Sequence, residues 1–159
     1  MKTIDIHIPI LVKEESELTS EELHLLDEAS RATYRSYAPY SHFSVGAAVL
    51  LADGTIVGGS NQENAAYPSG LCAERTAMFY ANSRYPDQPI RSICIAARNA
   101  DGEFIHRPIA PCGACRQSLL EAEQRAGHPI GVLLYGTDGI YSIRSIKDLL
   151  PLGFDESFL

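Results

Sequence analysis

The chain has 159 residues, 45% of them apolar and 21% charged, the balance of one soluble globular domain and not of a collagen, a coiled coil or a disordered tail. Its longest apolar run, Val45 to Ala52, is broken by Gly46 and is too short to span a bilayer. Acids exceed bases by 20 to 13, a net charge of −7, which disfavours nucleic acid and other long anionic partners, since those need clustered Lys and Arg. The N-terminus, MKTIDIHIPI, alternates polar residues where a signal peptide needs an unbroken apolar stretch, so the expected location is the cytoplasm. In that compartment the cysteines at 72, 94, 112 and 115 read as metal or catalytic groups rather than disulfides.

Thr3 to Ile10 alternates strictly, with Ile4, Ile6, Ile8 and Ile10 on one face, the period of a strand. Lys13 to Ser20 is polar and reads as a linker. Thr19 and Glu22 form a capping box, opening a helix to about Ser36 with Leu23, Leu26, Ser30 and Thr33 on one stripe. Ala38 to Ser44 is a loop, Val45 to Ala52 a strand, Asp53-Gly54 a hairpin turn and Thr55 to Ser60 the return strand. In that return strand, Gly58 and Gly59 allow close approach. A loop from Asn61 to Leu71 leads to a helix from Cys72 to about Ser83. A buried strand over Ser92 to Arg98, a helix over Pro111 to Gln124, strands over Ile130 to Tyr135 and Ile140 to Arg144, and a short helix over Ser145 to Leu150 complete the chain. This order implies a mixed sheet with helices packed on it.

Pro111-Cys112-Gly113-Ala114-Cys115 places two sulfurs at i and i+3 in the opening turn of a helix, on one face. The unpaired N–H groups and the dipole there favour thiolates. A redox dithiol is the rival reading of this motif by itself. Cys72 is also at a helix mouth. Three thiolates leave a tetrahedral zinc ion one open position, the pattern of a catalytic site. Glu74, two residues on from Cys72, can then sit beside the metal without ligating it and carry protons. Taken alone, it is a common first-turn surface acid. Cys94, inside an apolar strand, reads as a core residue, and the five histidines show no ligand spacing.

At these residues the sequence resembles the zinc-dependent cytidine deaminase family, in its small-subunit form with three cysteine ligands. Four blocks carry the resemblance: Ala38-Pro39-Tyr40-Ser41-His42-Phe43-Ser44-Val45-Gly46-Ala47-Ala48, Asn61-Gln62-Glu63-Asn64-Ala65-Ala66-Tyr67, Cys72-Ala73-Glu74-Arg75-Thr76-Ala77 and Pro111-Cys112-Gly113-Ala114-Cys115-Arg116-Gln117. It covers about Leu18 to Phe154. The resemblance implies one Zn²⁺ per chain on Cys72, Cys112 and Cys115, with Glu74 as the proton shuttle. It implies that Asn61 and Glu63 hold the ribose hydroxyls and Phe43 stacks on the pyrimidine. The Ala73 N–H would hold the base carbonyl and the Ala110 carbonyl the departing amine. Phe154 resembles a C-terminal aromatic that enters a neighbouring site. Arg75, three residues after Cys72, and Arg116 are expected to moderate the charge of the thiolates.

The implied fold is a three-layer α/β/α sandwich around a mixed, mostly five-stranded sheet, in a homotetramer. An extra N-terminal strand lies in an extension over residues 1–17, before a catalytic domain over 18–159. The implied reaction is hydrolysis of cytidine and deoxycytidine to uridine and deoxyuridine, a step of pyrimidine salvage. A deaminase of a cytosine nucleoside antibiotic of the blasticidin type is the alternative enzyme. A nucleic-acid-editing deaminase ranks below it, because the chain lacks a basic stripe. A zinc-stabilised binding domain without turnover is the rival from another class; it would keep the cysteines but would not need Glu74, Asn61 and Glu63.

Overall fold

The computed structural model describes all 159 residues. Six strands form one sheet: β1 (Leu11–Lys13), β2 (Ser44–Leu51), β3 (Ile56–Ser60), β4 (Ile90–Arg98), β5 (Gly131–Gly136) and β6 (Gly139–Ile143). Their order across the sheet is β1-β6-β5-β4-β2-β3. Only β4 and β5 run parallel, and the helix between them, α3 (Gly113–Ala126), is the crossover that a parallel pair requires. The sheet is therefore mixed, as the order of sequence elements implies.

The two faces carry separate cores. On one, α1 (Ser20–Ala32) buries Leu25, Leu26 and Ala29 against Ala48, Leu50, Cys94 and Ala96. On the other, α3 and α2 (Ala73–Arg84) bury Ala77, Met78 and Leu119 against Val49, Ile93, Ile95 and Val132. Alternate residues of β2 and β4 thus feed opposite layers, as a period of two dictates, and the result is the expected three-layer sandwich.

The capping box forms as read: Thr19 Oγ1 accepts from Glu22 N at 3.2 Å and Glu22 Oε2 from Thr19 N at 2.8 Å. The buried stripe of α1 differs from the expected one. Leu23 is exposed, and Leu25, Ala29 and Ala32 are fully buried. The reason is the depth of the packing. A Cβ on Gly46 of β2 would lie 2.1 Å from the Ala29 carbonyl oxygen, so the helix meets the strand through its smallest residues.

The N-terminal strand also differs. Residues 1–10 carry no regular secondary structure and stand outside the sheet, and their four isoleucines are exposed. The strand that does join is Leu11–Lys13, antiparallel to β6 with Leu11 opposite Ser142. Alternation predicts an extended chain, but a strand also needs an edge to pair with, and β6 offers β1 only a short one. Glu123 of α3 is a buried carboxylate that sequence alone does not single out. It accepts from Ile130 N, Ile146 N and Ser145 Oγ at 2.7–2.8 Å, fastening the chain before β5 to the 3-10 turn at Ile146–Leu149.

Candidate active site

Two helices start at one point of the molecule. Cys72 is the N-cap of α2 and Cys112 the N-cap of α3, both extended (ψ 153° and 166°). Cys115 follows in the first turn of α3 and is buried. The Cys72 and Cys112 sulfurs are 3.8 Å apart, and those of Cys112 and Cys115 are 3.6 Å apart. All three lie within 4.8 Å of one another. Tetrahedral zinc with Zn–S bonds of about 2.3 Å sets its sulfurs roughly 3.8 Å apart, so the spacing fits that ion. Three sulfurs also leave a fourth position for water or substrate.

What aligns the two helix mouths is close packing on the far side of the sheet from α1. A Cβ on Gly59 of β3 would come within 2.4 Å of Ala77 N and 2.9 Å of the Ala73 carbonyl oxygen. The absence of a side chain there lets the first turn of α2 settle onto β3.

The electrostatics follow from this crowding. Hydrogen bonding from Cys115 lowers the Cys72 thiol to about 5 against the cost of burial, helped by Arg75 and Cys112. The same bond, with burial, pushes Cys115 up. Arg75 Nη2 reaches Cys72 Sγ at 3.7 Å. Arg116, also expected to moderate the thiolates, spends its donors on backbone instead: its Nε donates to the Pro111 carbonyl and its Nη1 to the Leu149 carbonyl, both at 2.8 Å, so it clamps the backbone beneath Cys112. Glu74 is buried beside the cysteines. Desolvation, then the negative charge of Cys72, raises its carboxyl above the usual range. Cys94 lies across the sheet, pushed up to about 12 by burial, and no histidine joins the cluster.

An open cleft of about 490 Å³ leads to Cys72 and Arg75, walled by Tyr40, Asn61, Glu63 and Tyr67. Its walls are loops stitched together by backbone bonds. Tyr37 N donates to the Asn61 carbonyl at 3.0 Å, Glu63 N to the Tyr37 carbonyl at 2.8 Å and Gln62 N to the Leu71 carbonyl at 2.8 Å. The Asn61 amide oxygen accepts from Ser36 Oγ and Val45 N, while Nδ2 donates to the Phe43 carbonyl at 2.9 Å. That leaves the amide one free N–H. Glu63 accepts from Tyr40 N, Ser41 N and Ser41 Oγ, which leaves about one of its four lone-pair sites. These bonds, that of the Ser41 hydroxyl first, hold the carboxyl below the usual range.

Phe43, half-buried, stands just before β2, and Ala73, fully buried, opens α2. Ala110 is exposed immediately before Pro111 and Cys112. Phe154 does not line the cleft. Its ring is exposed and stacked on Phe158 at 5.6 Å, and its carbonyl accepts from Gln117 Nε2 at 2.9 Å. Ser36, Ser41 and Gln117 were not among the expected site residues; their side-chain bonds depend on chain reversals that carry no local signal.

Residues 19–127, well over half of the chain, match the cytidine and deoxycytidylate deaminase zinc-binding region. The chain belongs to the cytidine and deoxycytidylate deaminase family. It is 46% identical to a cytidine deaminase of Halalkalibacterium halodurans over 130 residues, 82% of this chain and 91% of that one. A cytidine deaminase of Sporosarcina psychrophila is 41% identical over 135 residues, 85% of this chain and 92% of that one. Among solved structures, the cytidine deaminase of Burkholderia pseudomallei superposes with a TM-score of 0.71 at 38% identity, over 86% of this chain and 100% of that one. The fold and the zinc-type cysteine cluster are thus those of the deaminase family, and the redox-dithiol reading of the Cys112–Cys115 motif falls away.

Proposed function

We propose that the protein hydrolyses cytidine and deoxycytidine to uridine and deoxyuridine, releasing ammonia. The observation that carries this reading is the buried carboxyl of Glu74 beside three convergent cysteines, at the end of a cleft walled by an amide and a carboxylate. A zinc ion held by Cys72, Cys112 and Cys115 would supply an activated water at neutral pH. Glu74 would carry one proton of the attacking water to ring N3 as the oxygen adds to C4 of the base. A second proton passes through the same carboxylate to the amine, which leaves C4 as ammonia. Burial suits Glu74 to both steps, because a raised pKa brings the carboxyl closer to the pH at which it must accept and release protons.

The remaining N–H of Asn61 and the remaining lone pair of Glu63 offer a ribose diol one donor and one acceptor. Phe43 supplies an aromatic face for the pyrimidine. The Ala73 N–H, in a first turn whose amides have no partner within the helix, can hold the base carbonyl, and the Ala110 carbonyl can hold the departing amine. Arg75 tempers the thiolate charge. Names of cytidine deaminases among the relatives support the substrate. An antibiotic deaminase finds no such support, and a binding domain has no need to bury Glu74.

A homotetramer is the assembly this reading favours. It gives cover to the exposed rings of Phe79, Tyr80 and Phe154 and lets Phe154 reach a neighbouring site. Residues 1–17 are then an extension of a catalytic domain over 18–159. No helix is long and apolar enough to cross a membrane, which accords with a cytoplasmic salvage enzyme. The test is product analysis: purified protein incubated with cytidine should yield uridine and ammonia in equal amounts. Cytidine recovered unchanged would reject the proposal.

A further inference from the structure

We infer that Ser41 is a positioning residue, whose hydroxyl locks the Glu63 carboxylate to the backbone of Phe43 and thereby sets affinity for the sugar of the substrate. The inference rests on the nucleoside reading above. A hydroxyl has one proton to give and two lone pairs to offer. Ser41 Oγ gives its proton to Glu63 Oε1 and accepts from Phe43 N at 3.1 Å. One small side chain therefore ties the residue proposed for the ribose to the residue proposed for the base.

The other carboxylate oxygen is held by backbone alone. Tyr40 N and Ser41 N both donate to Glu63 Oε2, at 2.9 and 3.2 Å. A glutamate anchored at one oxygen can still pivot about that anchor; anchored at both, it presents its last lone pair in a fixed direction. The bond to an ionised acceptor is of the stronger, charge-assisted kind. Chain reversal makes the second contact possible. His42 adopts a left-handed backbone, φ +54°, and its N–H is taken by the Ala38 carbonyl at 3.0 Å. The turn brings Phe43 N back over the Ser41 hydroxyl. Ser41 is itself exposed and lines the cleft, so it contributes little packing. The lowered carboxyl pKa of Glu63, caused first by this hydroxyl, accords with a strong bond.

The test is Ser41→Ala in the full chain, read as steady-state kinetics on cytidine and as competitive inhibition by cytosine, which lacks the sugar. Losing a bond made equally in ground and transition states raises KM and spares kcat. The KM for cytidine should rise roughly tenfold, with kcat and the inhibition constant of cytosine nearly unchanged. Ser41→Thr, which keeps the hydroxyl, should restore the KM. The melting temperature establishes that each variant is folded. Should the alanine variant fail to fold, Ser41→Cys, a similar volume with a weak donor, should show the same rise in KM. An unchanged KM, equal weakening for cytidine and cytosine, or no rescue by threonine would overturn the inference while leaving the deaminase reading intact. A parent protein with no cytidine turnover would overturn both.

Discussion

Glu74 and Arg75 are neighbours on one turn of α2, yet they set different properties of the site. If Glu74 is the proposed proton carrier, Glu74→Gln should keep fold and zinc but lower kcat by about 10²–10⁴-fold, since an amide is nearly isosteric and cannot shuttle. Zinc content, melting temperature and an ultraviolet assay check this together; wild-type turnover would reduce Glu74 to a buried structural acid. Arg75 contributes positive charge beside Cys72. Without it the thiolates weaken the pull of the metal on water, and Glu74 loses a charge that holds its carboxyl down. Both changes act in the same direction. The acidic limb of the pH–rate profile should therefore move to higher pH in Arg75→Ala and stay in place in Arg116→Lys, whose partners are carbonyls. An unmoved limb in Arg75→Ala would make that residue a surface cation only. The spacing of Cys72, Cys112, Cys115 and Arg75 was legible because helix geometry fixes neighbours three apart. The role of Arg116 was not, because Leu149 lies far along the chain. Asn61 and Glu63 were legible as polar pairs, but not their prior engagement with the loop over residues 36–45.

Strands β2 to β6, the three helices and the capping box of α1 stand within a few residues of where periodicity, Pro, Gly and caps put them. Those signals are local to each element. What was not legible is how closely elements approach. Periodicity places the α1 stripe through Leu23, whereas the helix sinks onto Gly46 through Ala29, a contact that depends on the partner strand. The same physics governs the metal helix. In Gly59→Ala the new Cβ meets Ala77 N at 2.4 Å, whereas in Gly58→Ala it meets the flexible end of Glu28. Gly59→Ala should lower stability by roughly 1–3 kcal/mol through overpacking and weaken zinc retention, because α2 carries Cys72 away from α3. Gly58→Ala should be far milder. Thermal melts with and without a competing chelator separate the two, and equal behaviour would show that β3 does not position α2.

At the scale of the molecule the extension raises a different question. Residues 1–10 stand outside the sheet with Ile4 83% and Ile6 52% exposed, and burying each isoleucine offers roughly 1.5–3 kcal/mol. Alternation alone does not make a strand: the regular pairing begins only at Leu11, where β6 supplies an edge. Removing residues 1–10 should lower the melting temperature or loosen the assembly, read by light scattering and thermal denaturation, while turnover per intact site persists. Intact assembly without turnover would show that the arm reaches the active site. The central claim, that three cysteines and Glu74 form a zinc-dependent hydrolytic centre for a nucleoside, is tested most directly by one titration. Protein of measured zinc content is assayed for loss of cytidine absorbance, stripped with a chelator and reloaded. The account predicts one zinc per chain, activity that falls in proportion as the metal is removed, and recovery on its return. Full activity in protein shown by elemental analysis to be free of metal would contradict it.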